Sequence, residues 1–256
     1  MGVFDRLISL KAAIADYDGT TADTYDRQFQ WFKLCADYSG IDFPYHSDEE
    51  FRPVYAKAYK EGGIQGSYDF FGLPCDMNDH SHPIHPIYDE FNLSRPAPFF
   101  EGMPELIEFL KEEGVKIAFC TNNYTPLVRA GLKRYGLDDD SYVFVDGKSV
   151  KKYSSNGKQN YYKKPSKKLM QRALKELGTR PEETIHLCDT LVDLQSAVDI
   201  PYGRYNREDL TNLGHLKGFE GDILREGVMT PFGQKHFDGL YSHPDEVKDL
   251  VREFMK

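Results

Sequence analysis

The chain has 256 residues, 40% hydrophobic and 29% charged, with a formal net charge of −9 at pH 7. This is the composition of a globular protein long enough for one large domain or two smaller ones. The acidic balance argues against general nucleic-acid binding, and no apolar run approaches the roughly 20 residues of a membrane span.

The opening Met1–Leu7 has no basic segment followed by a long apolar one, so no signal peptide is expected. Arg6 also stands where a myristoylation start would carry Ser or Thr. The apolar run Ala12-Ala13-Ile14-Ala15 reads as a short buried strand running into Asp16-Tyr17-Asp18-Gly19-Thr20. Tyr25, Phe29, Phe32 and Ala36 recur at helical spacing and predict a helix over 24–38. Ser47 and Glu50 have capping-box spacing and open a second helix expected to stop near Gly62-Gly63. Residues 64–98, rich in Pro, His, Asp and aromatics, read as loops and short helices, so that 22–98 forms a helical insertion.

From residue 101 helices and strands alternate. Helices are expected over 104–113, 127–135 and 167–177, each followed by a glycine as capping physics favours. Strands are expected over 116–120, 142–145 and 184–188, with Thr179 and Glu182 as a capping pair before the last. Ser242 and Asp245 open a final helix to about Phe254. This alternation predicts an α/β protein with a doubly wound parallel sheet. Ser154-Ser155-Asn156-Gly157 suggests a hairpin turn in an exposed stretch. Cys35, Cys75, Cys120 and Cys188 have no metal-ligand spacing and suit a reducing, cytoplasmic setting.

Three of these strands end in chemistry: Asp16, Thr121 and Asp189, the last followed by Asp193. In a parallel sheet such ends share one edge, where α/β proteins bind ligands. Several carboxylates around one point repel unless a cation lies among them, and hard oxygen donors suit Mg²⁺. Lys164 precedes Pro165 and so is expected on a loop. Lys163 competes for its role. A carboxylate nucleophile, a hydroxyl, a lysine and a metal are the parts that phosphoryl transfer needs.

Plainer readings exist for each part. Asp16 and Asp18 do not open a calcium loop, because Gly19 is fourth rather than sixth and Arg27 replaces the closing Glu. His80, His82 and His85 read as exposed loop histidines before a metal site. The eight lysines between Lys148 and Lys168 read as a solvated hairpin before a binding surface.

In order, Asp16-Tyr17-Asp18-Gly19-Thr20, Thr121, Lys164-Pro165 and Asp189-Thr190-Leu191-Val192-Asp193 resemble the four motifs of the haloacid dehalogenase superfamily. Phe100-Glu101-Gly102-Met103-Pro104 resembles the return from cap to core. The layout is most similar to phosphoglycolate-phosphatase-like hydrolases. The resemblance implies a Rossmann-like core over 1–21 and 99–256, with a helical cap, 22–98, inserted after the first strand. It implies a Mg²⁺-dependent phosphatase acting on a small phosphorylated metabolite through an aspartyl-phosphate. Asp16 would be the nucleophile and Asp18 the general acid and base. Thr121, the Asn122 backbone and Lys164 would bind phosphate. Asp16, the Asp18 carbonyl and Asp189 would hold Mg²⁺, with Asp193 in support. Asp18 speaks against a dehalogenase, since true dehalogenases of the family lack that second Asp. A phosphomutase, a phosphatase of nucleic-acid ends and a non-enzymatic phospho-ligand-binding protein stand as alternatives. Residues 146–163 and 203–236 are longer than the family pattern.

Overall fold

The structure is a computed structural model that describes residues 7–76, 82–153, 159–202, 206–216 and 230–256. Its chain divides into two compact units, Met1–Ala22 with Phe99–Lys256, and Asp23–Pro98.

The larger unit begins with β1 (Ala12–Ala15), all four residues buried. After the smaller unit come α4 (Met103–Glu112), β2 (Lys116–Cys120), α5 (Thr125–Arg134) and β3 (Val143–Val145). The paired strands β4 (Lys151–Tyr153) and β5 (Gln159–Tyr161) then lead to α6 (Lys167–Leu177) and β6 (Thr184–Cys188). Next are α7 (Leu191–Ala197), the antiparallel pair β7 (Ile200–Tyr202) and β8 (Asn206–Glu208), and β9 (Thr211–His215). The chain ends with α8 (Pro231–His236), β10 (Gly239–Tyr241) and α9 (Pro244–Phe254).

Six strands make one parallel sheet in the order β10-β9-β6-β1-β2-β3. β1 lies at its centre, with Ala12 paired to both Lys116 and Thr184. Parallel strands buried on both faces read as continuous apolar runs, as β1 and β2 do. Ala12, Ile14, Ala118 and Cys120 pack with Leu169, Met170, Ala173 and Leu174 of α6. α6 has its apolar residues on one face and ends at Gly178, whose φ of 68° is left-handed.

β9 and β10 were not expected from sequence; they fall in and beside the poorly matched stretch 203–236. β9 is wholly buried yet carries Thr211, Asn212 and His215, so its polarity concealed it. Asn212 satisfies itself inside the sheet by donating to Leu210 O (2.7 Å) and His236 O (3.1 Å). The capping pair expected at Thr179 and Glu182 is instead Arg180 with Glu183, ahead of a single 3₁₀ turn over Pro181–Glu183. The suggested hairpin turn at 154–157 lies outside the described residues; the strands flanking it pair antiparallel.

The smaller unit contains α1 (Tyr25–Ser39), α2 (Asp48–Phe70) and α3 (Ile84–Ser94). Ser47 caps α2 by accepting from Glu50 N, and Glu50 reaches back to His46 N. α2 does not stop at Gly62-Gly63. It kinks at Gly63 (φ 62°, ψ −156°) and resumes to Phe70. Trp31, Phe32, Phe51, Tyr55 and Tyr68 are buried between these helices, and the Trp31 indole donates to the Tyr68 hydroxyl at 2.6 Å. Phe32 thus belongs to the core of this unit, with half-buried Phe29 beside Phe51. His80 lies outside the described residues, while His82 accepts from Ile84 N at the start of α3.

Candidate active site

The C-terminal edge of the sheet is where the sequence-predicted residues meet. Asp16 follows β1 directly, and its N–H continues the pairing by donating to Leu187 O (2.9 Å). The chain then turns sharply: Thr21 N and Ala22 N both donate to Tyr17 O, and Gly19 takes φ 82°. Thr21 Oγ1 ties the turn to Asp16 O at 2.6 Å. Asp189 follows β6, and Thr190 caps α7 by accepting from Asp193 N (3.1 Å). Thr121 follows β2 and holds its loop by accepting from Asn123 N (3.0 Å).

Lys164 is buried and joins all three of these segments. Its Nζ makes an ion pair with Asp16 Oδ1 and lies 2.5 Å from Asp193 Oδ1. Its backbone N–H donates to Asn122 Oδ1 (2.7 Å). Lys163, the competing lysine, is exposed. Asp193 spends its other oxygen on Thr190 Oγ1 (2.5 Å), and Asp189 Oδ1 accepts from Thr20 Oγ1 (3.0 Å).

Asp18 is set apart from this cluster. It is half-buried, and its Oδ2 accepts from Asn123 Nδ2 (3.3 Å). Neither Asn123 nor Thr20 was singled out from sequence; both belong to segments that were, and only their side-chain partners reveal them. Below Asp18, Tyr17 is fully buried and meets Phe99 edge-on at 6.1 Å. Gly131 of α5 leaves room for it: a Cβ there would lie 2.0 Å from the Tyr17 hydroxyl.

Burial pushes the Asp16 carboxyl up, Asp193 and Asp18 push it further, and Lys164 opposes them. For Lys164, burial alone would lower the ammonium, but Asp16 and Asp193 outweigh it and hold it well above its ordinary value. A charged Lys164 is therefore fixed among too many carboxylates. When ionised, Asp16, Asp189 and Asp193 bring three negative charges, and one lysine answers one of them. A divalent cation would balance the remaining two.

These same three residues are the group among the described residues able to hold a metal, with one oxygen of each within 4.8 Å of the others. All donors are carboxylate oxygens, without His or Cys, which suits Mg²⁺ rather than a softer ion. Charge and donor type therefore both fit a magnesium ion. Asp18 is outside this group through its carboxylate.

The haloacid dehalogenase-like hydrolase family matches residues 10–200. Among relatives, the chain is 30% identical over 95 residues to the pyrophosphatase PpaX of Halalkalibacterium halodurans. That match spans 37% of this chain and 40% of the relative, less than half of its length. Among solved structures, CbbY from Rhodobacter sphaeroides, in complex with phosphate, is similar with a TM-score of 0.61 and 20% identity, covering 93% of this chain and 96% of that one. A predicted phosphoglycolate phosphatase from Haemophilus somnus gives a TM-score of 0.63 at 15% identity, covering 94% and 98%. At these identities the two structures speak for the fold. With the family matched across most of its length, this chain belongs to the haloacid dehalogenase-like hydrolases.

Proposed function

We propose that the protein is a Mg²⁺-dependent phosphatase that hydrolyses a small phosphomonoester through a phosphorylated Asp16. The observation that carries this reading is the buried cluster in which Lys164 bridges Asp16 and Asp193 beside Asp189, at the edge of the sheet. In this reading an Asp16 carboxylate oxygen attacks phosphorus, and the bond from phosphorus to the ester oxygen breaks. Asp18, oriented by Asn123, gives its proton to the departing oxygen. It then takes a proton from water, which attacks the same phosphorus, releases inorganic phosphate and restores the Asp16 carboxylate. Lys164, the Thr121 hydroxyl and the Asn122 backbone N–H answer the charge on the phosphoryl oxygens. Magnesium, held by Asp16, Asp189 and the Asp18 carbonyl with Asp193 in support, would supply further neutralisation of that charge. The helical unit, which enters the chain straight after the Asp16–Thr20 turn, is assigned the choice of ester. The expected setting is cytoplasmic, and no described helix is long and apolar enough to cross a membrane.

The test is phosphate release from a panel of phosphorylated metabolites, with Mg²⁺ and with chelator. The unaltered protein is expected to turn over with metal only. Asp16→Asn is expected to remain folded and lose turnover by three orders of magnitude or more. Near-normal metal-dependent release by that variant would remove Asp16 from the role. Isomerised sugar phosphate in place of free phosphate would redirect the reading to a mutase.

A further inference from the structure

The stretch that begins at Asp146 departs from the family layout, and its first residues lie against the loop after β2. Thr121 N donates to Val145 O (3.0 Å), and Gly147 N donates to Asn123 O (3.0 Å). The Asp146 carboxylate accepts Thr125 N (3.0 Å) and Thr125 Oγ1 (2.8 Å) on one oxygen. Its other oxygen accepts Lys148 N (2.9 Å) and Ser149 Oγ (2.8 Å). Lys148 Nζ sits 3.9 Å from the centre of the Tyr124 ring. Every residue from Asn123 to Thr125 is therefore gripped by a residue between 146 and 148.

Gly147 sets the distance between the two segments. It is buried, and its backbone is not in the left-handed region. It is glycine for room rather than for conformational freedom. A Cβ there would meet Asn122 O at 2.4 Å and Asn122 C at 3.2 Å. Both obstacles are backbone atoms, so no side-chain rotation relieves the overlap. The loop would have to move, and it carries Thr121, the Asn122 oxygen that holds Lys164 N, and the Asn123 amide that holds Asp18.

We infer that Asp146-Gly147-Lys148 is a positioning clamp for the phosphate-binding loop Thr121–Thr125, with Gly147 as its spacer. This rests on the proposed phosphatase reading and adds a residue that touches neither substrate nor metal. Misplacement of reacting groups by about 1 Å costs on the order of a hundredfold in rate. A forced shift of roughly half that size is expected to cost about tenfold.

The experiment measures affinity for inorganic phosphate by titration calorimetry in Mg²⁺, together with kcat and KM on p-nitrophenyl phosphate. The unaltered protein, Gly147→Ala and Asp146→Asn are compared below their unfolding temperatures. Gly147→Ala is expected to weaken phosphate about tenfold and to lower kcat. Asp146→Asn preserves volume but turns one acceptor into a donor facing N–H groups, and is expected to weaken phosphate about threefold. It carries the test if Gly147→Ala does not fold. A residue that serves stability alone would lower the unfolding temperature and leave phosphate affinity unchanged, and affinities within twofold of the unaltered protein would overturn the clamp. If the unaltered protein binds no phosphate, the phosphatase reading falls and the clamp with it. If it binds and the variants match it, the clamp alone falls.

Discussion

His186 gives the protein a calculable weakness in acid. It lies in the middle of β6, completely buried, with Nδ1 2.9 Å from Asn212 Oδ1 and, among the described residues, no hydrogen-bond partner at Nε2. Burial pushes its pKa down from 6.5 to about 4, with Asp193 and Asn212 pulling weakly the other way. The unfolded chain takes up a proton near pH 6.5, while the folded chain resists until about 4. This histidine's share of stability is therefore complete above pH 6.5 and drains as the pH falls through that window. Between pH 7.5 and 5.0 the linkage amounts to about 2 kcal/mol lost. Other buried groups, Asp16 among them, also titrate, so the comparison is with His186→Gln, which keeps a polar group toward Asn212 and loses the proton site. Urea unfolding of both proteins at the two pH values should show the unaltered protein losing about 2 kcal/mol more than the variant. Equal losses, within about 0.5 kcal/mol, would mean that His186 is not held neutral by burial.

Asp18→Asn should slow both the formation and the breakdown of the phosphorylated Asp16, because one carboxyl gives the proton and later takes it. Rapid-quench measurement of a burst on an alkyl phosphate, whose departing alkoxide needs a proton as p-nitrophenolate does not, would show both steps slowed, by roughly a hundredfold or more. An unchanged burst with slow release would confine Asp18 to the second step. Gly131→Ala should destabilise the protein by about 1–3 kcal/mol by driving a methyl into the Tyr17 hydroxyl. The double variant with Tyr17→Phe should recover much of that loss in thermal unfolding. Simple additivity would locate the strain elsewhere, since Phe99 is the next neighbour at 3.2 Å.

The readable parts of the sequence were those where one physical demand dominates. β1, β2 and β6 are short buried runs closed by Asp16, Thr121 and Asp189, and a parallel sheet leaves such runs little choice. The helices that end at glycines announced themselves by period and cap. β9 was hidden because Thr211, Asn212 and His215 are carried into a wholly buried strand, where Asn212 donates to Leu210 O and His236 O, and no periodicity registers that. α2 ran past its glycines because Tyr68 had a buried place beside Trp31 and Phe32. At the candidate site, the residues on strand ends could be found by order. Asn123, Thr20 and Gly147 could not, because their significance lies in a partner far along the chain.

The central position of β1 also constrains how the chain comes together. β1 is made well before both of the residues that Ala12 pairs with, Lys116 and Thr184. The helical unit, uninterrupted from Asp23 to Pro98, can complete its aromatic core while β1 still waits for neighbours. Nascent chains that end before β2 would thus carry β1 without either neighbour, and its other side would stay open until β6 is made. The carboxylates at the edge of the sheet would be driven together only at that closing step, so the unfavourable assembly of like charges is deferred until the rest of the sheet can support it.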